Sequence, residues 1–165
     1  MSFERTFTWE DASVWRSEHG LTGLQCLARV VSGEFPQPAM GRLMDIRLAE
    51  VSKGRAVFVS SPADFHYNPM GVVHGGFAAT ILDSAMGCAV HTTLAAGDAY
   101  TTLELKVNYV RALTSEAGEV RCTGTVLNVG RTIAIAEGKL EGADGKLYGV
   151  ATCTCLIRRA GERGL

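Results

Sequence analysis

Polar and apolar residues alternate with a period of two over two stretches of this chain, and one long, almost wholly apolar segment separates them. In the first stretch Leu43, Asp45 and Arg47 interleave with Met44, Ile46 and Leu48 from Arg42 onward. A Lys53-Gly54 turn and the apolar run Ala56 to Val59 follow. This pattern predicts a β-hairpin. In the second, after Leu94, the spacing puts Leu103, Leu105, Val107 and Tyr109 on one face of a strand and Thr102, Glu104, Lys106 and Asn108 on the other. Three more strands are predicted at Glu119 to Val129, Thr132 to Glu141 and Lys146 to Ile157. The turn signal Ala143-Asp144-Gly145 joins the last two.

The intervening segment, Gly75 to Leu94, makes a helix of about 30 Å. Ala78, Ala79, Ala85 and Ala89 mix with Phe77, Ile81, Leu82, Met86 and Val90 around its circumference, so it has to be covered on most sides. Gly87 in its middle costs about 1 kcal/mol relative to alanine, which fits a backbone packed closely against it. Before Arg42, Thr8 with Asp11 and Thr22 with Gln25 have capping-box spacing and predict two short helices. The second covers Leu24 to Val31 and stops at Ser32-Gly33, with Pro36 and Pro38 beyond. A sheet wrapped around one central helix, an α+β arrangement, satisfies the whole pattern. The expected division is a helical N-terminal segment over 1–40, a main domain over 41–158 and a polar tail over 159–165 that frays.

With 165 residues, one domain burying roughly 70% of its unfolded surface is expected. Hydrophobic residues at 47% and charged residues at 20% are ordinary for a folded protein. Sixteen basic and seventeen acidic residues give a net charge of -1, so no global field favours nucleic acid or an anionic membrane. The uncharged run Phe65 to Leu82 contains His66, Asn68, Pro69, His74 and three glycines and is not a membrane span. No secretory signal is readable at the N-terminus, and five cysteines, at 26, 88, 122, 153 and 155, suit reduced thiols. A cytoplasmic location is the expectation.

The chemistry concentrates in Asn68-Pro69-Met70-Gly71-Val72-Val73-His74-Gly75-Gly76, followed six residues later by Asp83-Ser84. Asn68-Pro69 and Gly71 call for a turn, and Gly75-Gly76 lets a ligand approach the backbone where the helix starts. Unpaired N–H groups and a partial positive charge there suit a carbonyl oxygen that becomes an oxyanion. Asp83, about two turns further on, has two readings. It belongs to a solvent-facing stripe with Thr80, Gly87 and His91, or it is a carboxylate held in a cleft for base or nucleophile work. His74 likewise either bonds its own turn or serves the site, and Asn68 by itself is a turn residue.

Asn68, Gly71, His74-Gly75-Gly76 and Leu82-Asp83-Ser84 together resemble the signature of PaaI-type acyl-CoA thioesterases of the hotdog superfamily. Thr102 to Arg111, Gly130-Arg131-Thr132 and Asp144-Gly145-Lys146 extend the resemblance in order and spacing over roughly Arg42 to Ile157. It implies a curved antiparallel sheet around the long helix, and homodimers or homotetramers with active sites across the dimer interface. By position, Asp83 is then the catalytic carboxylate, as general base or as nucleophile. The Gly75 N–H polarises the thioester carbonyl, Asn68 and His74 shape the oxyanion side, and the Thr102 hydroxyl helps hold water. Gly76, Ser84, Gly130, Arg131 and Thr132 are the implied substrate or coenzyme A contacts. Arg131 otherwise reads as a solvated turn residue. The resemblance puts Asp83 and Thr102 on one subunit and the Asn68-to-Gly75 segment on the other, so that a monomer is inactive. Trp9, Trp15 and Phe35 in the N-terminal segment either pack against the domain or influence acyl choice.

The implied activity is hydrolysis of an aryl-acyl or medium-chain acyl-CoA to the free acid and coenzyme A, with no metal or redox cofactor. Ile81 and Met86 are candidate acyl contacts. The alternatives are a non-catalytic acyl-CoA-binding protein of the same fold and an acyl-thioester dehydratase. A structural metal on Cys153, Cys155 and Cys122 lacks a zinc-type spacing. Cys88 lies among alanine and valine, with only His91 or His74 to activate it. Phosphate-loop and dinucleotide fingerprints are absent.

Overall fold

A helix that is apolar all round has to be enclosed, and the chain achieves this by wrapping a sheet about Gly75–His91. The computed structural model describes residues 2–11, 13 and 20–161. Its elements are α1 (Gly23–Ser32), α2 (Ala39–Met44), β1 (Ile46–Ser52), β2 (Arg55–Ser60), α3 (Gly75–His91), β3 (Ala99–Tyr109), β4 (Val120–Val129), β5 (Ile133–Gly142) and β6 (Leu147–Arg158). The strands form one curved antiparallel sheet in the order β1-β2-β4-β5-β6-β3. Phe77, Ile81, Leu82, Ala85, Met86, Ala89 and Val90 of α3 are buried against its inner face.

Close contact between helix and sheet explains two strand glycines. A Cβ at Gly124 on β4 would run into the Ala85 carbonyl of α3, and one at Gly138 on β5 would lie 3.1 Å from side-chain carbons of Leu82 and Met86. The helix backbone thereby rests directly on β4. α3 ends at His91, three residues before the expected Leu94. The Thr92 and Thr93 hydroxyls donate to the carbonyls of Ala89 and Val90 at 2.6 and 2.7 Å, satisfying the last turn locally.

The second N-terminal helix forms as expected. Thr22 Oγ1 accepts from the Gln25 N–H at 3.3 Å, and Gln25 Oε1 accepts from the Thr22 N–H at 2.9 Å. Cys26, Leu27 and Val30 of α1 join the same core as the sheet. The stretch from Thr8 to Asp11, expected to open a helix, has no helical residues. Asp11 instead accepts from the Ser13 N–H at 2.9 Å, a local Asx turn. Trp15 lies outside the described residues.

Three further expectations need correction. Arg42 to Met44, read as the start of a hairpin, form the last turn of α2, and β1 starts at Ile46. A six-residue helix is too short for its period to be distinguished from alternation. In β3 the register shifts between Thr102 and Glu104. This bulge leaves Leu103 exposed and puts Thr102 on the same inner face as Leu105 and Val107. The tail is tied at its start: Arg158 is in β6, and Arg159 pairs with Asp98 at 2.7 Å and donates to the Gly130 and Arg131 carbonyls.

His66 connects the two ends of the structure that flank the site. Its Nδ1 accepts from the Ala63 N–H at 3.1 Å and its Nε2 donates to the Met44 carbonyl at 2.9 Å, between the rings of Phe65 and Phe77. The bond accepted at Nδ1 requires the neutral ring. Burial disfavours the imidazolium and holds the His66 pKa below its ordinary 6.5, and burial acts in the same direction on His91. Their contribution is complete above about pH 6.5, where both folded and unfolded rings are neutral, and is lost as pH falls through the lowered folded values. The thermal midpoint is therefore expected to fall between pH 7 and pH 5, with a shallower fall in His66→Gln. A midpoint flat over that range would contradict this account.

Candidate active site

Asp83 sits one-half of the way along α3, on the only side of the helix that carries polar groups. It is half-buried, and its Oδ1 accepts from the Thr102 hydroxyl at 2.9 Å. The β3 bulge is what turns Thr102 inward to make this bond. Asp83, Ser84 and Thr102 line a cleft of about 200 Å³. Its other walls come from α2 and its N-cap (Pro38, Met40, Gly41), from Ile46 and Phe58 of the sheet, and from Gly87, Cys88 and Tyr100. The face bearing Thr80, Asp83, Gly87 and His91 is thus half-covered by neighbouring elements and is no open solvent stripe.

The helix N-terminus lies elsewhere. His74 is the N-cap, its Nδ1 accepting from the Gly76 N–H at 2.8 Å. Its carbonyl takes the Phe77 N–H at 2.9 Å. The Gly75 N–H has no acceptor among the described residues. Tyr109 covers the Gly75 backbone: its hydroxyl donates to the Gly75 carbonyl at 3.2 Å, and a Cβ at 75 would lie 3.0 Å from the Tyr109 ring. His74, Gly75, Tyr109 and Arg111 line a second cleft, of about 330 Å³, which shares no residue with the first.

Asn68 shapes the approach to this N-terminus. Its Oδ1 accepts from the Met70 N–H at 2.8 Å, its N–H donates to the Val72 carbonyl at 2.8 Å, and Tyr67 bridges to Val73. Asn68 and His74 therefore both make bonds within their own turns, and the Gly76 N–H is already occupied. Gly130, Arg131 and Thr132 form the exposed β4–β5 turn and line neither cleft.

Along α3, Gly75 and Asp83 are separated by about 12 Å and roughly a quarter turn. A thioester carbonyl needs its oxygen about 3 Å from the N–H donor and its carbon within about 3.5 Å of the attacking group. One copy of the chain does not present both groups to one carbonyl.

Other candidates resolve clearly. Ile81 and Met86 are fully buried under the sheet and do not line the Asp83 cleft. Of the N-terminal aromatics, Phe35 is core, while Trp9 is exposed and stacks on Phe7 at 5.5 Å. Sequence reasoning missed Pro38, Met40, Phe58 and Tyr100, whose approach to Asp83 is a tertiary event without a local signal. Burial pushes the Cys88 thiol up to about 12, which keeps it protonated and a poor nucleophile. Cys153 and Cys155 lie 3.9 Å apart on β6, but β5 separates them from Cys122 on β4. Among the described residues no three His, Cys, Asp or Glu side chains group to hold a metal ion, and no helix is long and apolar enough to cross a membrane.

Residues 70–148 match the Thioesterase superfamily. A Saccharolobus solfataricus protein with a provisional esterase name is 32% identical over 118 residues, covering 72% of this chain and 82% of that one. The 1,4-dihydroxy-2-naphthoyl-CoA hydrolase of Listeria monocytogenes is 23% identical over 69% of this chain and 91% of its own length. Among solved structures, a phenylacetic acid degradation-related protein of Ralstonia eutropha superposes with a TM-score of 0.71. It is 30% identical, and the match covers 79% of this chain and 98% of that one. Family match, relatives and the sheet-wrapped helix agree: the chain belongs to the thioesterase superfamily and is a thioester hydrolase.

Proposed function

We propose that the chain hydrolyses an acyl-CoA thioester with an aryl-acyl or medium-length acyl group, in the manner of PaaI-type enzymes, and that Asp83 is its general base. The observation that carries the proposal is the Asp83–Thr102 pair lining a small, largely apolar cleft. With Oδ1 taken by Thr102, the other carboxylate oxygen is available to remove a proton from water. The water oxygen then attacks the carbonyl carbon, and the oxyanion is held at a free helix N–H such as that of Gly75. Collapse breaks the C–S bond, and the proton on Asp83 passes to the departing sulfur, leaving the acid and coenzyme A. No metal or redox partner enters these steps.

The 12 Å between Gly75 and Asp83 favours a composite site in which the Gly75 of one copy faces the Asp83 of another, in a homodimer or a larger homo-oligomer. Each half is then already held in its own chain: Thr102 fixes the base, while the Asn68 turn, the His74 cap and Tyr109 fix the donor. The 1,4-dihydroxy-2-naphthoyl-CoA hydrolase and the phenylacetic acid degradation-related protein among the relatives support the aryl-acyl form of this reading. Volume agrees as well, because a cavity of about 150 Å³ accommodates a benzene ring and the Asp83 cleft is near 200 Å³.

Thiol release from a panel of acyl-CoA thioesters tests the proposal. Asp83→Ala is expected to lose at least about 100-fold in kcat. Thr102→Val is expected to lose about tenfold, the size of a hydrogen bond to a charged group. Binding of the thioesters without thiol release by the wild type would transfer the reading to a non-catalytic acyl-CoA-binding protein.

A further inference from the structure

Tyr100 lines the Asp83 cleft together with Gly87. α3 and β3 face each other in rungs: Asp83 meets Thr102 at the first, and one helical turn on, Gly87 meets Tyr100. A Cβ at Gly87 would lie 2.9 Å from the Tyr100 hydroxyl oxygen and 3.0 Å from its ring. The phenol thus fills the space that a side chain at 87 would occupy. Behind it stands the ring of His91, 5.5 Å from that of Tyr100. The ring is therefore wedged from the helix side and from behind, and no rearrangement of a surface loop would move it.

The cleft that Asp83 lines also includes Gly87 and Tyr100, one helical turn further along α3. Pro38, Met40, Ile46 and Phe58 make its walls apolar, and the coenzyme A arm, which is larger than the whole cleft, has to leave through the mouth. We infer that Tyr100, seated on Gly87, is the specificity-determining residue that limits the acyl group to about one aromatic ring or a chain of about six carbons. The inference rests on the thioesterase reading above and assigns no role in the chemical steps to Tyr100. Its ring acts by occupying volume. Its hydroxyl is not needed for the limit.

The test is kcat/KM over a series of straight-chain acyl-CoA thioesters from two to twelve carbons, measured for the wild type, Tyr100→Ala and Tyr100→Phe, each checked for oligomeric state and thermal midpoint. The wild type is expected to decline beyond about six to eight carbons. Tyr100→Ala is expected to move the optimum up by two or more carbons and to raise the ratio of long-chain to short-chain kcat/KM at least about tenfold, since one methylene in an apolar pocket changes kcat/KM by about 10-fold or more. Tyr100→Phe is expected to keep the wild-type profile. Loss at every chain length by a common factor in Tyr100→Ala would overturn the inference, as would a changed profile in Tyr100→Phe. If Tyr100→Ala does not fold, Gly87→Ala serves instead, because its methyl presses the phenol into the cleft. It is expected to shift preference to shorter chains, and an unchanged profile would refute the idea. A wild type that hydrolyses none of the series removes the thioesterase reading and this inference with it. A wild type that hydrolyses the series but keeps its length profile in Tyr100→Ala removes this inference alone.

Discussion

Enclosure of α3 is the constraint on which everything else depends. The helix has apolar side chains on nearly all its circumference, so a single sheet face is insufficient and the six strands have to curve around it. Backbone-to-backbone approach at Gly124 brings the helix so near β4 that larger residues have no room. The face carrying Thr80, Asp83, Ser84 and His91 escapes full burial. α2 and β3 flank that face without filling it, and the gap they leave is the Asp83 cleft. A carboxylate in the middle of an apolar helix is tolerable there because it keeps partial access to water and a hydroxyl partner.

The same helix separates the two halves of the proposed site. Its N-terminus offers a backbone donor and a favourable dipole, and its middle offers a base, with about 12 Å of rigid helix between them. Rigidity is an advantage to each half taken separately. Thr102 and the β3 bulge hold Asp83, while Tyr109 and His74 hold the peptide around Gly75, so neither has to be ordered when substrate arrives. It also means that no bending within one copy brings the halves onto one carbonyl, and a second copy is the simplest source of the missing half.

Much of this was legible in the chain. Alternation around Ile46 to Leu48 marked the start of β1, the Lys53-Gly54 turn with the apolar run Ala56 to Val59 marked β2, and the Ala143-Asp144-Gly145 turn marked the hairpin of the last two strands. The unbroken apolar character of Gly75 to Leu94 marked the central helix, and the Asn68-to-Gly76 turn with Asp83 marked the candidate site. What failed had identifiable causes. α2 is too short to show a period. The bulge at Leu103 inverts the phase of β3 without any residue that announces it, so Thr102 was read as facing away from Leu105 when it faces the helix. Ile81 and Met86 were plausible acyl contacts by composition alone, yet the helix is rotated to bury them under the sheet. The residues that do line the cleft come from five separate elements, and only folding brings them together.

The central claim, that one carbonyl is served by Asp83 of one copy and the helix N-terminus of another, is tested most directly by subunit complementation. Asp83→Ala supplies an intact N-terminal half. Gly75→Val, whose side chain would strike Tyr109, supplies an intact Asp83. Each variant alone is expected to be nearly inactive in thiol release. Unfolded and refolded together, they are expected to recover activity approaching one quarter of wild type, from mixed dimers that contain one complete site. Mixed oligomers, verified by mass, that remain as inactive as the parents would contradict the account.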